Sequence, residues 1–118
     1  YGDHRDLHVR SRRQRQMCIR DRTSSGPAII ALIIEALSDG GLSGGLPKII
    51  SEELVMEMIL GTICLLKENK LTTSELKNLV TSPGGTTISA LRVLEKKSVR
   101  SALIESIVSA SNRSKEFR

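Results

Sequence analysis

The chain has 118 residues, a net charge of +5, one Tyr, one Phe and no Trp. That length suits one domain and buries only about two-thirds of its unfolded surface, so helices apolar on several faces would need a partner subunit. With its aromatics at Tyr1 and Phe117, the body lacks the planar side chains on which a single strand or an RNA loop stacks.

The charge is uneven. Residues 1–22 hold seven basic and three acidic residues, a balance of +4, and residues 23–118 hold eleven and ten, a balance of +1. The basic character therefore belongs to the first segment, and the rest is an ordinary mixed-charge surface. Residues 1–22 show no helical or strand period. Gln14-Arg15-Gln16-Met17-Cys18-Ile19-Arg20-Asp21-Arg22 resembles a translated sequencing adaptor. The segment reads as a non-native or disordered basic stretch, outside the fold. His4 and His8 within it read as solvated side chains rather than metal ligands.

Residues 23–118 read as one all-α domain. Ser25-Gly26-Pro27 is a helix start, since Pro is tolerated in the first turn. The run 28–38 is apolar nearly all round, which marks a buried helix, and Gly40-Gly41 is expected to stop it. Residues 42–46 are expected to form a loop. The apolar run past Ala28 ends at Leu37, short of the roughly twenty residues a membrane span needs, and no signal peptide precedes it.

Pro47 opens a long helix to about Glu68, with Ile50, Leu54, Met58, Gly61 and Leu65 at helical spacing. Met56 and Met58 read as core filler, and Cys64 as a buried small hydrophobe. Cys18 and Cys64 are far apart and form no CxxC, which points to a reducing, cytoplasmic context.

Asn69-Lys70-Leu71 interrupts the pattern. Thr72 and Glu75 then have capping-box spacing, and a short helix to about Val80 follows. Next come Thr81-Ser82-Pro83-Gly84-Gly85-Thr86-Thr87, a helix from about Thr86 to Lys96-Lys97, and a last helix with Ser98 as its cap. The last helix has its stripe at Val99, Ala102, Leu103, Ser106, Ile107 and Ala110.

No GxGxxG or P-loop is present, so a dinucleotide or nucleotide triphosphate has no recognisable cradle. No His lies beyond His8, which excludes a Ser-His-Asp triad and a histidine metal site. The Ser-Pro-Gly-Gly-Thr-Thr turn remains. Pro83 keeps Ser82 from helical geometry, and Gly84 and Gly85 leave the backbone uncovered. The helix that follows has unpaired N–H groups and a dipole that favour an anion. No Lys or Arg is adjacent, so a carboxylate fits better than a phosphate. An ordinary glycine-rich helix start with a Thr cap is the other reading of these residues.

The stretch Leu76-Lys77-Asn78-Leu79-Val80-Thr81-Ser82-Pro83-Gly84-Gly85-Thr86-Thr87-Ile88-Ser89-Ala90-Leu91, with Leu94-Glu95 beyond it, closely resembles the signature of pyrroline-5-carboxylate reductases. Ser25-Gly26-Pro27-Ala28, the segment from Asp39-Gly40-Gly41-Leu42 to Gly45-Leu46-Pro47, Arg100 and the ending Asn112-Arg113-Ser114-Lys115-Glu116 agree with that family in order and spacing. The resemblance covers about residues 24–117. It implies a helical domain that interleaves with a second subunit, in a homodimer or larger assembly. It also implies an enzyme that reduces 1-pyrroline-5-carboxylate to proline with NADPH or NADH.

By the same resemblance, Ser82, Gly84, Gly85, Thr86 and Thr87 would bind substrate. The backbone around Gly85, Thr86 and Thr87 would hold its carboxylate, and Thr87 would be the catalytic residue, with its hydroxyl on the ring nitrogen. The family's dinucleotide-binding half is missing from this chain, so no cofactor-binding residue is expected here, and the chain alone is expected to be inactive. A Pro that the family often has near Thr73 is absent, and Ser98-Val99 replaces a Gly-Phe pair. Neither a nucleic-acid nor a membrane partner is expected. The alternatives are a non-catalytic helical dimerisation module and a β-hydroxyacid dehydrogenase half. The second generally uses a helix-borne Lys as acid, and no Lys here sits in a comparable glycine-rich helix start.

Overall fold

The computed structural model describes residues 25–116. The first segment, 1–22, on which the adaptor-like reading falls, lies outside the described residues. Five helices follow in order: α1 Gly26–Ser43, α2 Lys48–Glu68, α3 Thr73–Val80, α4 Thr86–Lys96 and α5 Val99–Glu116. No strand occurs among the described residues, in line with the all-α expectation. The chain divides into two compact units. Ala31–Val99 forms one and contains α2, α3, α4 and most of α1; α5 belongs to the other.

α1 is longer than the sequence suggests. Gly40 and Gly41 do not stop it; they lie inside its last turns. The stop is at Gly45, whose φ of 103° is left-handed. Leu46 N–H donates to the Gly41 carbonyl (3.1 Å) and Gly45 N–H to that of Leu42 (3.0 Å). This pair of bonds closes a helix with a glycine just past its end.

Gly41 serves a different purpose. A Cβ there would overlap the Ser51 Oγ and lie 3.3 Å from the Ser51 Cβ. Its bareness lets α2 cross closely. Ser51 Oγ donates to the Ser38 carbonyl at 2.7 Å, and Ser38 Oγ donates to that of Ile34 at 2.7 Å. Both serines are buried, and no buried side-chain polar atom among the described residues lacks a partner.

α2 begins after Pro47, whose φ of −60° and ψ of 145° make it the N-cap. It ends at Glu68, where the sequence places its end. Lys70 takes the left-handed position (φ 52°), and Leu71 N–H donates to the Leu66 carbonyl at 3.1 Å.

The inward face of α2 is not the one its apolar period suggests. Ser51 and Val55 are buried, whereas Ile50, Leu54, Met58 and Leu65 are exposed by 44–52%. Met56 is exposed as well, and so is Cys64. The helix is apolar on two sides, and periodicity alone did not choose between them. Val55 is the one buried apolar side chain among the described residues. α1, read as a buried helix, likewise shows Ile30, Leu32 and Leu37 to the exterior.

By length and composition α1 also passes for a membrane span. Its 18 residues reach only roughly 27 Å, and Glu35 and Asp39 lie within them.

Candidate substrate-binding turn

The site is reached through α3. Thr72 Oγ1 accepts the Glu75 N–H at 3.1 Å, and Glu75 Oε1 accepts the Thr72 N–H at 3.0 Å. This reciprocal pair is the capping box expected from the sequence. The Thr72 N–H and then the Thr72 hydroxyl hold the Glu75 carboxyl below the usual glutamate range. α3 ends at Thr81, whose N–H donates to the Asn78 carbonyl (3.4 Å) and whose Oγ1 donates to that of Lys77 (2.5 Å).

Residues 82–85 then form a tight turn. Pro83 presets its own φ, Gly84 stands at φ 68°, and Gly85 N–H donates to the Ser82 carbonyl at 3.1 Å. These are the marks of a type II turn, whose third position favours glycine. Gly85 itself has an ordinary extended conformation, φ −81° and ψ 173°. A Cβ there would sit 2.5 Å from the Ser82 Oγ and 3.2 Å from the Ser82 carbonyl oxygen. Gly84 is therefore demanded by backbone conformation and Gly85 by space.

Gly85 is the N-cap of α4, and no side chain caps that helix. Its ladder starts with Ser89 N–H donating to the Gly85 carbonyl at 3.4 Å. The N–H groups of Thr86, Thr87 and Ile88 precede it and have no intrahelical partner. Gly85 N–H is engaged inside the turn, so the free donors are those of Thr86, Thr87 and Ile88 rather than those of Gly85, Thr86 and Thr87. The signal for Ile88 was available, because every helix frees its first few N–H groups. The Thr87 side chain is half-buried, while those of Ser82 and Thr86 are exposed. The turn thus offers three N–H donors at one helix end, the dipole of an 11-residue helix and the half-buried Thr87 side chain. No Lys or Arg occurs between Lys77 and Arg92. An anion with one spread charge, such as a carboxylate, suits this arrangement.

Residues 18–117 match the family model described as pyrroline-5-carboxylate reductase dimerisation. The chain belongs to this family. It is 50% identical over 95 residues to the pyrroline-5-carboxylate reductase of Synechocystis, a match covering 80% of this chain and 36% of that protein. Over the same length it is 44% identical to the enzyme of that name from Arabidopsis thaliana, covering 34% of that relative.

Among solved structures, the chain resembles the pyrroline carboxylate reductase of Plasmodium falciparum with NADP bound. There the TM-score is 0.78 and the identity 34%, over 85% of this chain and 38% of that one. It also resembles a pyrroline-5-carboxylate reductase from Coxiella burnetii, with a TM-score of 0.74 and 41% identity over 78% of this chain and 34% of that one. The chain spans about a third of the length of these reductases. Family membership accounts for the helical order and for the apolar faces that a single chain leaves uncovered.

Proposed function

We propose that this chain is the C-terminal, substrate-binding and dimer-forming half of an NAD(P)H-dependent pyrroline-5-carboxylate reductase. The complete enzyme reduces 1-pyrroline-5-carboxylate to L-proline in the cytoplasm. The observation that carries this reading is the uncapped start of α4, where three N–H donors follow a glycine turn. The substrate carboxylate sits on the Thr86, Thr87 and Ile88 N–H groups. The ring nitrogen is attached to the carboxyl-bearing carbon, which brings it within reach of the Thr87 hydroxyl. That hydroxyl hydrogen-bonds the nitrogen as the C=N bond is reduced. Ser82, Gly84 and Gly85 shape the turn and bring the carboxylate close to the backbone. Binding and orientation of this kind, rather than a strong acid or base, are what these residues supply.

The described residues contain no strand leading into a glycine turn and a helix, so they offer no pyrophosphate cradle. NADPH or NADH, bound elsewhere in the complete enzyme, supplies the hydride. The partner is a second copy. Ile50, Leu54, Met58 and Leu65 form an uncovered row on α2, and nothing lies within 4 Å of a Cβ at Gly61 in the middle of it. A second helix can approach closely there. The same uncovered faces support reading α1 as an interface helix rather than a membrane span.

The test is to join the chain to the dinucleotide-binding half of the Synechocystis relative and follow NAD(P)H oxidation with 1-pyrroline-5-carboxylate. A hydrogen bond to a charged or charge-developing group contributes roughly 1.5–3 kcal/mol. Thr87→Ala is therefore expected to lower kcat/KM by about ten- to a hundredfold, while Thr87→Ser keeps most activity and Thr86→Ala loses less. If both threonines can be removed without effect, the turn is only a helix start and the chain is a dimerisation module. Sedimentation equilibrium on the chain alone tests the second copy, since a concentration-independent monomer contradicts it.

A further inference from the structure

α3 has only eight residues, too few for a helix that stands on its own. Packing within its unit does little to hold it. Leu79 and Val80 are 71% and 58% exposed, and no residue of α3 is buried. What fixes its two ends is a threonine at each. Thr72 closes the N-terminus through the capping box. Thr81 closes the C-terminus twice over, with its hydroxyl on the Lys77 carbonyl and its N–H on the Asn78 carbonyl. Thr81 is also the last residue before the turn, and its side chain is half-buried.

The two threonines therefore differ in consequence. Thr72 acts on α3 alone, fourteen residues or more from the free donors of α4. Thr81 sets the direction in which the chain leaves α3, and from four residues on that direction has become the position of Gly85 and the α4 donors. We propose that Thr81 is a positioning residue for the substrate-binding turn, acting through its hydroxyl bond to the Lys77 carbonyl. This rests on the reading of the turn as the substrate site. Thr81 touches no substrate; it holds the Ser82 carbonyl and the start of α4 in register so that the carboxylate meets its donors without rearrangement.

Thr81→Val keeps the shape of the side chain and removes the hydroxyl. In the joined enzyme, Thr81→Val is expected to raise KM for 1-pyrroline-5-carboxylate about three- to tenfold, the range of one net hydrogen bond, and to change kcat less than twofold. Thr81→Ser is expected to restore KM to within twofold of the parent. Thr72→Ala, which loosens α3 at its far end, is expected to lower thermal stability while leaving KM within twofold.

An unchanged KM in Thr81→Val overturns the proposal, as does an equal rise in KM from Thr72→Ala, since the effect would then be the stability of α3 and not the placement of the turn. A failure of Ser to rescue likewise overturns the hydroxyl's role. Thr87→Ala in the same assay separates the two levels. If Thr87→Ala impairs the enzyme and Thr81→Val does not, the site stands and the positioning role falls. If Thr87→Ala is silent, the substrate site itself is wrong and the positioning role falls with it.

Discussion

The α1–α2 hairpin and the α3–turn–α4 segment use glycine for opposite purposes. In the hairpin, Gly41 has an ordinary helical backbone and is bare because Ser51 occupies the space of its missing side chain. In the turn, Gly84 has open space around it and is glycine because its φ is 68°. One region is specified by close approach of two helices around buried serines. The other is specified by backbone conformation and by caps, with most of its side chains facing outward. The hairpin is thus a scaffold that resists change in volume, and the turn is an exposed display of N–H groups that resists change in dihedral angle.

Filling the two glycines should separate the two regions most directly. Gly41→Val drives a branched side chain into Ser51 and dislodges its bond to the Ser38 carbonyl. We expect a loss of about 3 kcal/mol, at the upper end for overpacking, read by urea unfolding at fixed chain concentration. Gly84→Ala meets no atom and suffers only the left-handed backbone, a loss of about 1–2 kcal/mol. Equal losses at the two positions would erase the distinction.

A smaller effect of opposite sign is expected between α4 and α5. Ser98, between α4 and α5, stands at φ 60°, a conformation that costs a side chain and suits glycine. Ser98→Gly is expected to raise stability by roughly 0.5–1 kcal/mol, the relief of strain less the greater freedom of the unfolded chain. A rise in Tm of a few degrees would show it. A fall would mean that the hydroxyl matters more than the dihedral angle.

The smallest effect concerns pH. Glu75 has its folded pKa below its unfolded value, chiefly through the Thr72 N–H and then the Thr72 hydroxyl. A depressed carboxylate contributes stability that is complete above the unfolded pKa and is lost as pH falls through the folded one. Acidification from the ordinary glutamate range downward should therefore loosen the start of α3. The protection of the Glu75 and Leu76 amides relative to intrinsic exchange should fall there, and Glu75→Gln, which keeps an acceptor without a titration, should flatten that dependence. Protection that stays constant with pH in the parent would show that the box contributes little.

The same two regions show what the sequence made legible. The Thr72–Glu75 box, the start after Pro47, the end at Glu68 and the turn before Thr86 were all readable, because each depends on a few neighbouring residues. The end of α1 was not. Which of Gly40, Gly41, Gly44 or Gly45 turns left-handed depends on Ser51, ten residues or so further on, needing Gly41 bare. The buried face of α2 was hidden for a related reason. Its apolar residues occur on two sides, and the inner side is marked by Ser51 rather than by a large hydrophobe. At the site, the turn and Thr87 were readable as candidates. The engagement of Gly85 N–H was not, because it follows from the type of turn and not from the residues that permit it. Ser98 was read as a cap for its hydroxyl, whereas its left-handed φ is what a glycine would supply at the same place. The Gly-Phe pair implied there by the family resemblance fits that geometry.

The shortage of buried apolar side chains, with Val55 alone among the described residues, carries a consequence for how the chain comes to exist as a folded object. Where the core is completed by a second copy, folding and assembly are one reaction, second order in chain. Its melting temperature then rises with concentration, and dilution alone unfolds it. A damaged copy that still paired would withdraw an intact one from use, so that half the chains in such a mixture being defective would spoil more than half of the assemblies.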